Sequence, residues 1–126
     1  MYININDIYM YFEYRLAPDN HYLCKYDYRI YSEDQKKELL ILDNYDIFDF
    51  VFIRQIDFNL LAVEYLLAIY EKRLAMEKNH KNFISVFFSF IDGNGLSDDW
   101  YNFEKEKLID FGRSWCEENG INYTLK

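Results

Sequence analysis

One proline and four glycines punctuate 126 residues. Flexible linkers and low-complexity tethers need far more of both, so a string of loosely joined modules is excluded and a single domain is expected over residues 1–126. Cysteine is almost as scarce. Cys24 and Cys116 permit one disulfide by arithmetic, but no framework of spacings accompanies them, and two free thiols are expected. Glu64 and Asp49 interrupt the longest apolar stretches, and nothing approaches the ~18 uncharged residues of a membrane span. The opening Met1-Tyr2-Ile3-Asn4-Ile5-Asn6-Asp7 has neither the basic start nor the apolar run of a secretory leader. These features together predict a cytoplasmic protein.

Residue types that carry chemistry are also few. The histidines are His21 and His80, both in polar stretches, and no serine lies in a glycine-flanked elbow. Neither cysteine has a local signature, so no nucleophile–base pair can be assembled from the sequence. Asp92-Gly93-Asn94-Gly95 opens like a calcium loop. Leu96, Ser97 and Phe103 then stand where such a loop needs an acid or amide, a glycine and a glutamate. No metal or other cofactor is expected. Basic clusters stop at Lys36-Lys37 and Lys72-Arg73, which argues against direct contact with nucleic acid.

What the chain does have is aromatic mass and negative charge: 13 tyrosines and 11 phenylalanines on a chain of net charge −8. A domain of this length buries roughly two thirds of its unfolded surface, so the rings can fill a core without help from metal or disulfide. The acid excess selects basic protein surfaces and repels nucleic acid and anionic lipid.

The pattern along the chain predicts an α+β domain, a mostly antiparallel N-terminal sheet followed by helix–strand–helix and a short last strand, with helices packed on the sheet. Residues 9–16 and 22–31 alternate and are joined by Ala17-Pro18-Asp19-Asn20, which reads as a hairpin with Met10, Phe12, Tyr14 and Leu16 facing the core. Ile5, Ile8, Tyr9, Phe12 and Leu16 also match helical spacing; tyrosine and isoleucine density favours strand. Residues 32–37 read as a charged turn or, because Ser32 and Gln35 fit a capping box, as the opening of a short helix, and residues 39–42 and 47–55 read as further strands. Residues 57–79 read as a central helix capped by Asp57 and stopped by Asn79, with Leu60, Val63, Leu67, Tyr70 and Leu74 as its buried stripe, widened by Leu61, Leu66 and Ile69, and Glu64, Glu71 and Lys78 opposite. The uncharged, ring-rich residues 83–91 read as an interior strand. Residues 97–119 form a helix capped by Ser97, with Tyr101, Leu108, Phe111 and Trp115 as its apolar face and Gly120 after its last turn. Residues 121–125 make a last strand that would pair beside 83–91.

Two acidic–aromatic stretches are candidate binding surfaces. From Glu38 to Ile53 there are acids and no base; Asp43, Tyr45, Asp46 and Asp49 offer carboxylates for bidentate pairing with arginine and a ring for stacking. The plainer reading is a loop of solvated aspartates. The second cluster is Asp98, Asp99, Trp100, Tyr101 and Glu104. Trp and Tyr anchor interfaces, but the plainer reading, first-turn acids on a helix whose Trp100 covers the core edge, is favoured because such acids are normal there. The expected function is that of a small acidic inhibitor, of which a bacterial immunity protein is the commonest kind and a phage-encoded nucleic-acid mimic the neighbouring one. Its partner would be a basic protein, a nuclease-type toxin or another nucleic-acid-handling enzyme, whose positive groove it would occlude. The alternatives are a non-catalytic adaptor that homodimerises, and an enzyme with an unrecognised carboxylate site.

Overall fold

The computed structural model describes residues 1–70 and 83–126. Its spine is the helix Ser97–Glu118, which buries Trp100, Glu104, Leu108, Gly112, Trp115 and Cys116. Steps of four residues from Trp100 to Gly112, and from Gly112 of three to Trp115 and four to Cys116, draw one stripe along the helix. The N-terminal segment packs on this stripe. A short strand, β1 (Ile3–Asn4), runs into a single helical turn, α1 (Ile5–Ile8), and then a 3₁₀ turn, Tyr9–Phe12. Phe12 meets Phe111 and Trp115 edge-on, at ring-centre distances of 5.9 and 5.4 Å. The side-chain-free Cα of Gly112 makes room for the Phe12 ring.

A three-stranded antiparallel sheet follows. β2 (His21–Cys24) and β3 (Arg29–Ser32) form a hairpin, with Tyr22 opposite Tyr31 and Leu23 opposite Ile30. Tyr28 takes the positive-φ position of the turn, at φ 56°. Between β3 and the next strand lies α2 (Glu33–Leu42), opened by a capping box. The Gln35 amide N–H donates to Ser32 Oγ at 3.3 Å, and the Ser32 N–H donates to Gln35 Oε1 at 2.8 Å. A 3₁₀ turn, Ile47–Asp49, leads into β4 (Phe50–Phe52), which pairs with the other side of β2. Strand order is therefore β3-β2-β4. Trp115 ties the long helix to this sheet by donating its indole N–H to the Phe52 carbonyl at 2.9 Å.

The helical half comprises α3 (Phe58–Tyr70), α4 (Phe83–Gly93) and α5, the Ser97–Glu118 spine. Asp57 caps α3, accepting from the Asn59 N–H at 2.9 Å. Phe58, Tyr65, Phe87 and Trp100 meet at the centre of this half, with Phe87 and Trp100 ring centres 4.8 Å apart. After α5, Gly120 adopts φ 65° and β5 (Tyr123–Thr124) pairs in parallel with β1. Both cysteines are free and buried.

The α+β class holds, but several elements differ from expectation. Residues 83–91 are helical, not a strand. Phe83, Phe87 and Ile91 are buried four residues apart, while Ile84 and Val86 are exposed. The last strand consequently pairs with β1 and makes no crossover with 83–91. Residues 9–16 are not a strand either. The helical spacing of Ile5 and Phe12 prevails, and Met10, Tyr14 and Leu16 face solvent. The hairpin lies instead inside residues 21–32. Residues 39–42 are the end of α2, because the capping box starts a helix that continues through them. Only residues 50–52 of the expected 47–55 strand are extended in a sheet. In α3 the buried positions are Phe58, Leu61, Ala62, Tyr65 and Leu66, and Leu60 and Leu67 lie on the outside. Ser97 is the first helical residue rather than the cap, and its hydroxyl donates to Asp92 Oδ1 at 3.0 Å. The expected stop at Asn79 and the positions Glu71, Leu74 and Lys78 lie outside the described residues, as does His80.

Candidate binding surface

The loop after α2 is built by competing demands on one carbonyl. The N–H groups of Asp43 and Tyr45 both donate to the Leu39 carbonyl, at 3.2 and 3.1 Å. Asn44 between them takes φ 54°, a left-handed conformation that asparagine tolerates better than most residues. Asp46 then turns the chain again. Its carboxylate accepts from the Phe48 N–H at 2.9 Å and its carbonyl from the Asp49 N–H at 3.0 Å. The Asp49 carbonyl accepts from the Lys25 N–H at 2.8 Å, which brings the β2–β3 turn, and Tyr26 with it, against the loop.

The result is a depression of about 300 Å³ lined by Tyr26, Asp43, Asn44, Tyr45, Asp46 and Asp49. Tyr26 and Tyr45 meet edge to face, ring centres 5.4 Å apart, and Tyr45 leans on Phe50 at 6.2 Å. Asp27 anchors the wall from behind, accepting from the hydroxyls of Tyr31 and, at 3.3 Å, Tyr45. Desolvation, and then the Asp27 carboxylate, raise the Tyr45 phenol above its ordinary value, so the ring stays neutral. Among the described residues no lysine or arginine is ion-paired with Asp43, Asp46 or Asp49. Large apolar side chains stand exposed next to the lining residues in sequence: Ile41 and Leu42 before Asp43, and Ile47 and Phe48, the last 88% exposed, between Asp46 and Asp49. The four residues read from the sequence as one candidate surface, Asp43, Tyr45, Asp46 and Asp49, are thus brought together. Tyr26 was missed. It reaches the site through a backbone hydrogen bond between elements, for which no local pattern exists.

The second cluster divides. Trp100 is buried among Phe58, Tyr65, Phe87 and Phe103 and serves the core. Glu104 is buried too, 3.4 Å from Arg15 Nη2. Asp99 accepts from the Tyr65 hydroxyl at 2.7 Å, and the Tyr101 and Tyr9 hydroxyls lie 2.9 Å apart. The hydrogen bond to Tyr101, with burial added, pushes the Tyr9 phenol up to about 12. The surface of this cluster therefore reduces to Asp98, Asp99 and Tyr101.

No family model, curated protein or solved structure matches this chain. Its chemistry has to be read from its own side chains. Among the described residues no group of three or more His, Cys, Asp or Glu side chains is placed to hold a metal ion. No helix among them is long and apolar enough to cross a membrane. Burial raises the thiols of both cysteines, that of Cys116 to about 11, which keeps them protonated and poorly nucleophilic at neutral pH. His21 is engaged structurally, its Nδ1 2.8 Å from the Asp19 carbonyl and its ring 4.8 Å from that of Tyr11.

Proposed function

We propose that this is a non-catalytic cytoplasmic binding protein that neutralises a basic partner, a nuclease-type toxin or another enzyme that handles nucleic acid, by covering its positive groove. The observation that carries the reading is the convergence of Asp43, Asp46 and Asp49 on one tyrosine-walled depression, none of them ion-paired with a lysine or arginine among the described residues. Clustered carboxylates of this kind raise the local negative potential. They speed encounter with a positive surface, and the enzyme's groove is where such a surface lies. Asp98, Asp99 and Tyr101 are the next surface in line, at the start of a different helix.

The test uses the immobilised protein to capture a partner from the cytoplasm of its own cells, followed by titration of the purified pair. The double variant Asp43→Asn with Asp46→Asn should bind more weakly, by about 2–5 kcal/mol for each desolvated charge pair lost. Its affinity should also depend less on salt. A captured partner that is basic, whose activity the protein blocks, supports the reading; unchanged affinity and unchanged salt dependence in the double variant remove this surface from it.

The exposed Ile41, Leu42, Ile47 and Phe48 favour a second reading, an adaptor that self-associates through them. Sedimentation separates the two. A dimer held by apolar contact persists or strengthens with salt, whereas a charge-steered complex with a basic partner weakens.

A further inference from the structure

Resting on that reading of the surface, we propose that the depression receives one arginine side chain from a protein partner, while Ile41, Leu42, Ile47 and Phe48 seat the apolar residues that flank that arginine. The exposed apolar side chains come first in the argument. Single exposed hydrophobes are ordinary, but here two precede and two interrupt one run of cavity-lining residues, and the cavity they adjoin in sequence measures about 300 Å³. Such a surface fits a protein segment better than a free small cation. A polyamine or metal ion would satisfy the aspartates and leave the apolar rim in water.

The charge fixes the sign of what enters. Asp43, Asp46 and Asp49 are without ion pairs among the described residues, so an acidic peptide, a nucleic acid or an anionic headgroup is repelled. The walls then distinguish arginine from lysine. A guanidinium is planar and weakly hydrated, stacks on an aromatic face and donates in a fork to a carboxylate; an ammonium keeps its water and offers a point charge. Tyr26 and Tyr45 meet edge to face at 78°, so their contact covers one face of one ring only; Tyr26 is otherwise exposed, and the Tyr45 hydroxyl is already held by Asp27. The rings are left to act as stacking surfaces beside the carboxylates.

The experiment follows backbone amide shifts of the intact protein on titration with Ac-Leu-Arg-Leu-amide, the same peptide with lysine or citrulline in place of arginine, and spermidine. The arginine peptide should shift Tyr26, Asp43, Asn44, Tyr45, Asp46 and Asp49 and bind at least about fivefold tighter than the lysine peptide, with citrulline inert. Asp46→Asn keeps the oxygen that caps Phe48, so the loop is retained, and it should lower arginine-peptide affinity by about fivefold or more. Tyr45→Phe keeps the ring and should preserve the preference for arginine. Equal binding of the arginine and lysine peptides, spermidine binding as tightly as the arginine peptide, or no shifts at these residues at about 10 mM peptide would overturn the inference. Failure here with a basic partner still lost on changing Asp43 and Asp46 would leave the proposed function standing. An arginine preference with no basic partner recovered would do the reverse.

Discussion

Two carboxyl groups in the interior, Glu13 and Glu104, lean on one guanidinium. Arg15 Nη2 is 3.4 Å from Glu104 Oε2, and Arg15 Nε is 4.0 Å from Glu13 Oε2. Glu13 also accepts from the Arg15 and Leu16 N–H groups, at 2.9 and 3.1 Å, so its oxygens are well occupied. The guanidinium itself lies over the rings of Phe58 and Phe88, at 4.8 and 5.0 Å. Desolvation still outweighs these partners, and both carboxyls are raised above the ordinary glutamate value, Glu13 with a small addition from Asp57 and Glu104 from Glu13. The sign of the consequence is opposite to that of a surface salt bridge. A carboxyl raised in the folded state binds its proton more tightly there than in the unfolded chain, so its contribution is fully present below the unfolded value near ~4.3 and is lost as pH rises through the folded value. Glu104→Gln keeps a hydrogen-bond acceptor for Arg15 and removes the titration. Relative to the parent, this variant should gain stability as pH rises above about 4.3, read as a widening difference in urea midpoint between pH 4 and 7. Parallel profiles for the two proteins would show that Glu104 does not titrate differently on folding.

At the scale of elements, Gly112 decides how closely α5 and the N-terminal turn can approach. A Cβ added there would stand 2.7 Å from Phe12 Cε2, well inside contact distance. Phe12 cannot swing aside freely, because it is fully buried between Phe111 and Trp115. Replacing glycine by alanine inside a helix ordinarily gains about 1 kcal/mol, whereas forcing a methyl into a packed core costs about 1–3 kcal/mol. Gly112→Ala should therefore lower stability despite its better helix propensity, and urea denaturation measures the balance; a higher midpoint would mean that Phe12 repacks without cost. Elements with local signals were legible in the sequence: the capping box of α2, the long amphipathic α5, and Gly120 closing it with φ 65°. Residues 83–91 were not, because an uncharged apolar run looks alike in a buried strand and a buried helix. The four-residue spacing of Phe83, Phe87 and Ile91 was the available cue, and the ring-rich residues between them hid it. In α3 apolar residues cover most of the surface, so periodicity alone does not say which edge of the wide stripe faces in: Leu61 and Leu66 are buried as expected, whereas Leu60, Leu67 and Ile69 lie outside. The aspartate loop at 43–49 was legible because all of its members are sequence neighbours, whereas Tyr26 enters only through the tertiary bond from Lys25 to Asp49.

Over the whole molecule, 22 acidic side chains face 14 lysines and arginines, and that imbalance acts on the folded state as a self-repulsion. Among the described residues the attractive side of the balance is thin. Arg54–Glu118 at 3.1 Å and Lys107–Glu64 at 3.5 Å are half-exposed pairs of the kind worth about 0–1 kcal/mol each. Lys36 also sits 3.9 Å from the centre of the Tyr22 ring, an attraction that screening weakens little because the ring carries no net charge. Added salt shortens the range of every exposed charge interaction, to about 10 Å at 0.1 M, and so acts on the many long-range repulsions more than on the few close pairs. Compact folding brings like charges nearer than they are in the extended chain, so the relief is greater in the native state. Thermal unfolding followed in sodium chloride and again in potassium chloride, from about 20 to 300 mM, should give a melting temperature that rises with ionic strength in both salts alike. A fall in both would mean that the exposed ion pairs, not the net charge, dominate the electrostatics of the fold. The same screening should weaken association with a basic partner, so one set of salt concentrations moves stability and binding in opposite directions. That opposition separates a surface whose acid excess serves recognition from one in which the charge serves solubility alone, where stability would respond to salt and no binding would be lost.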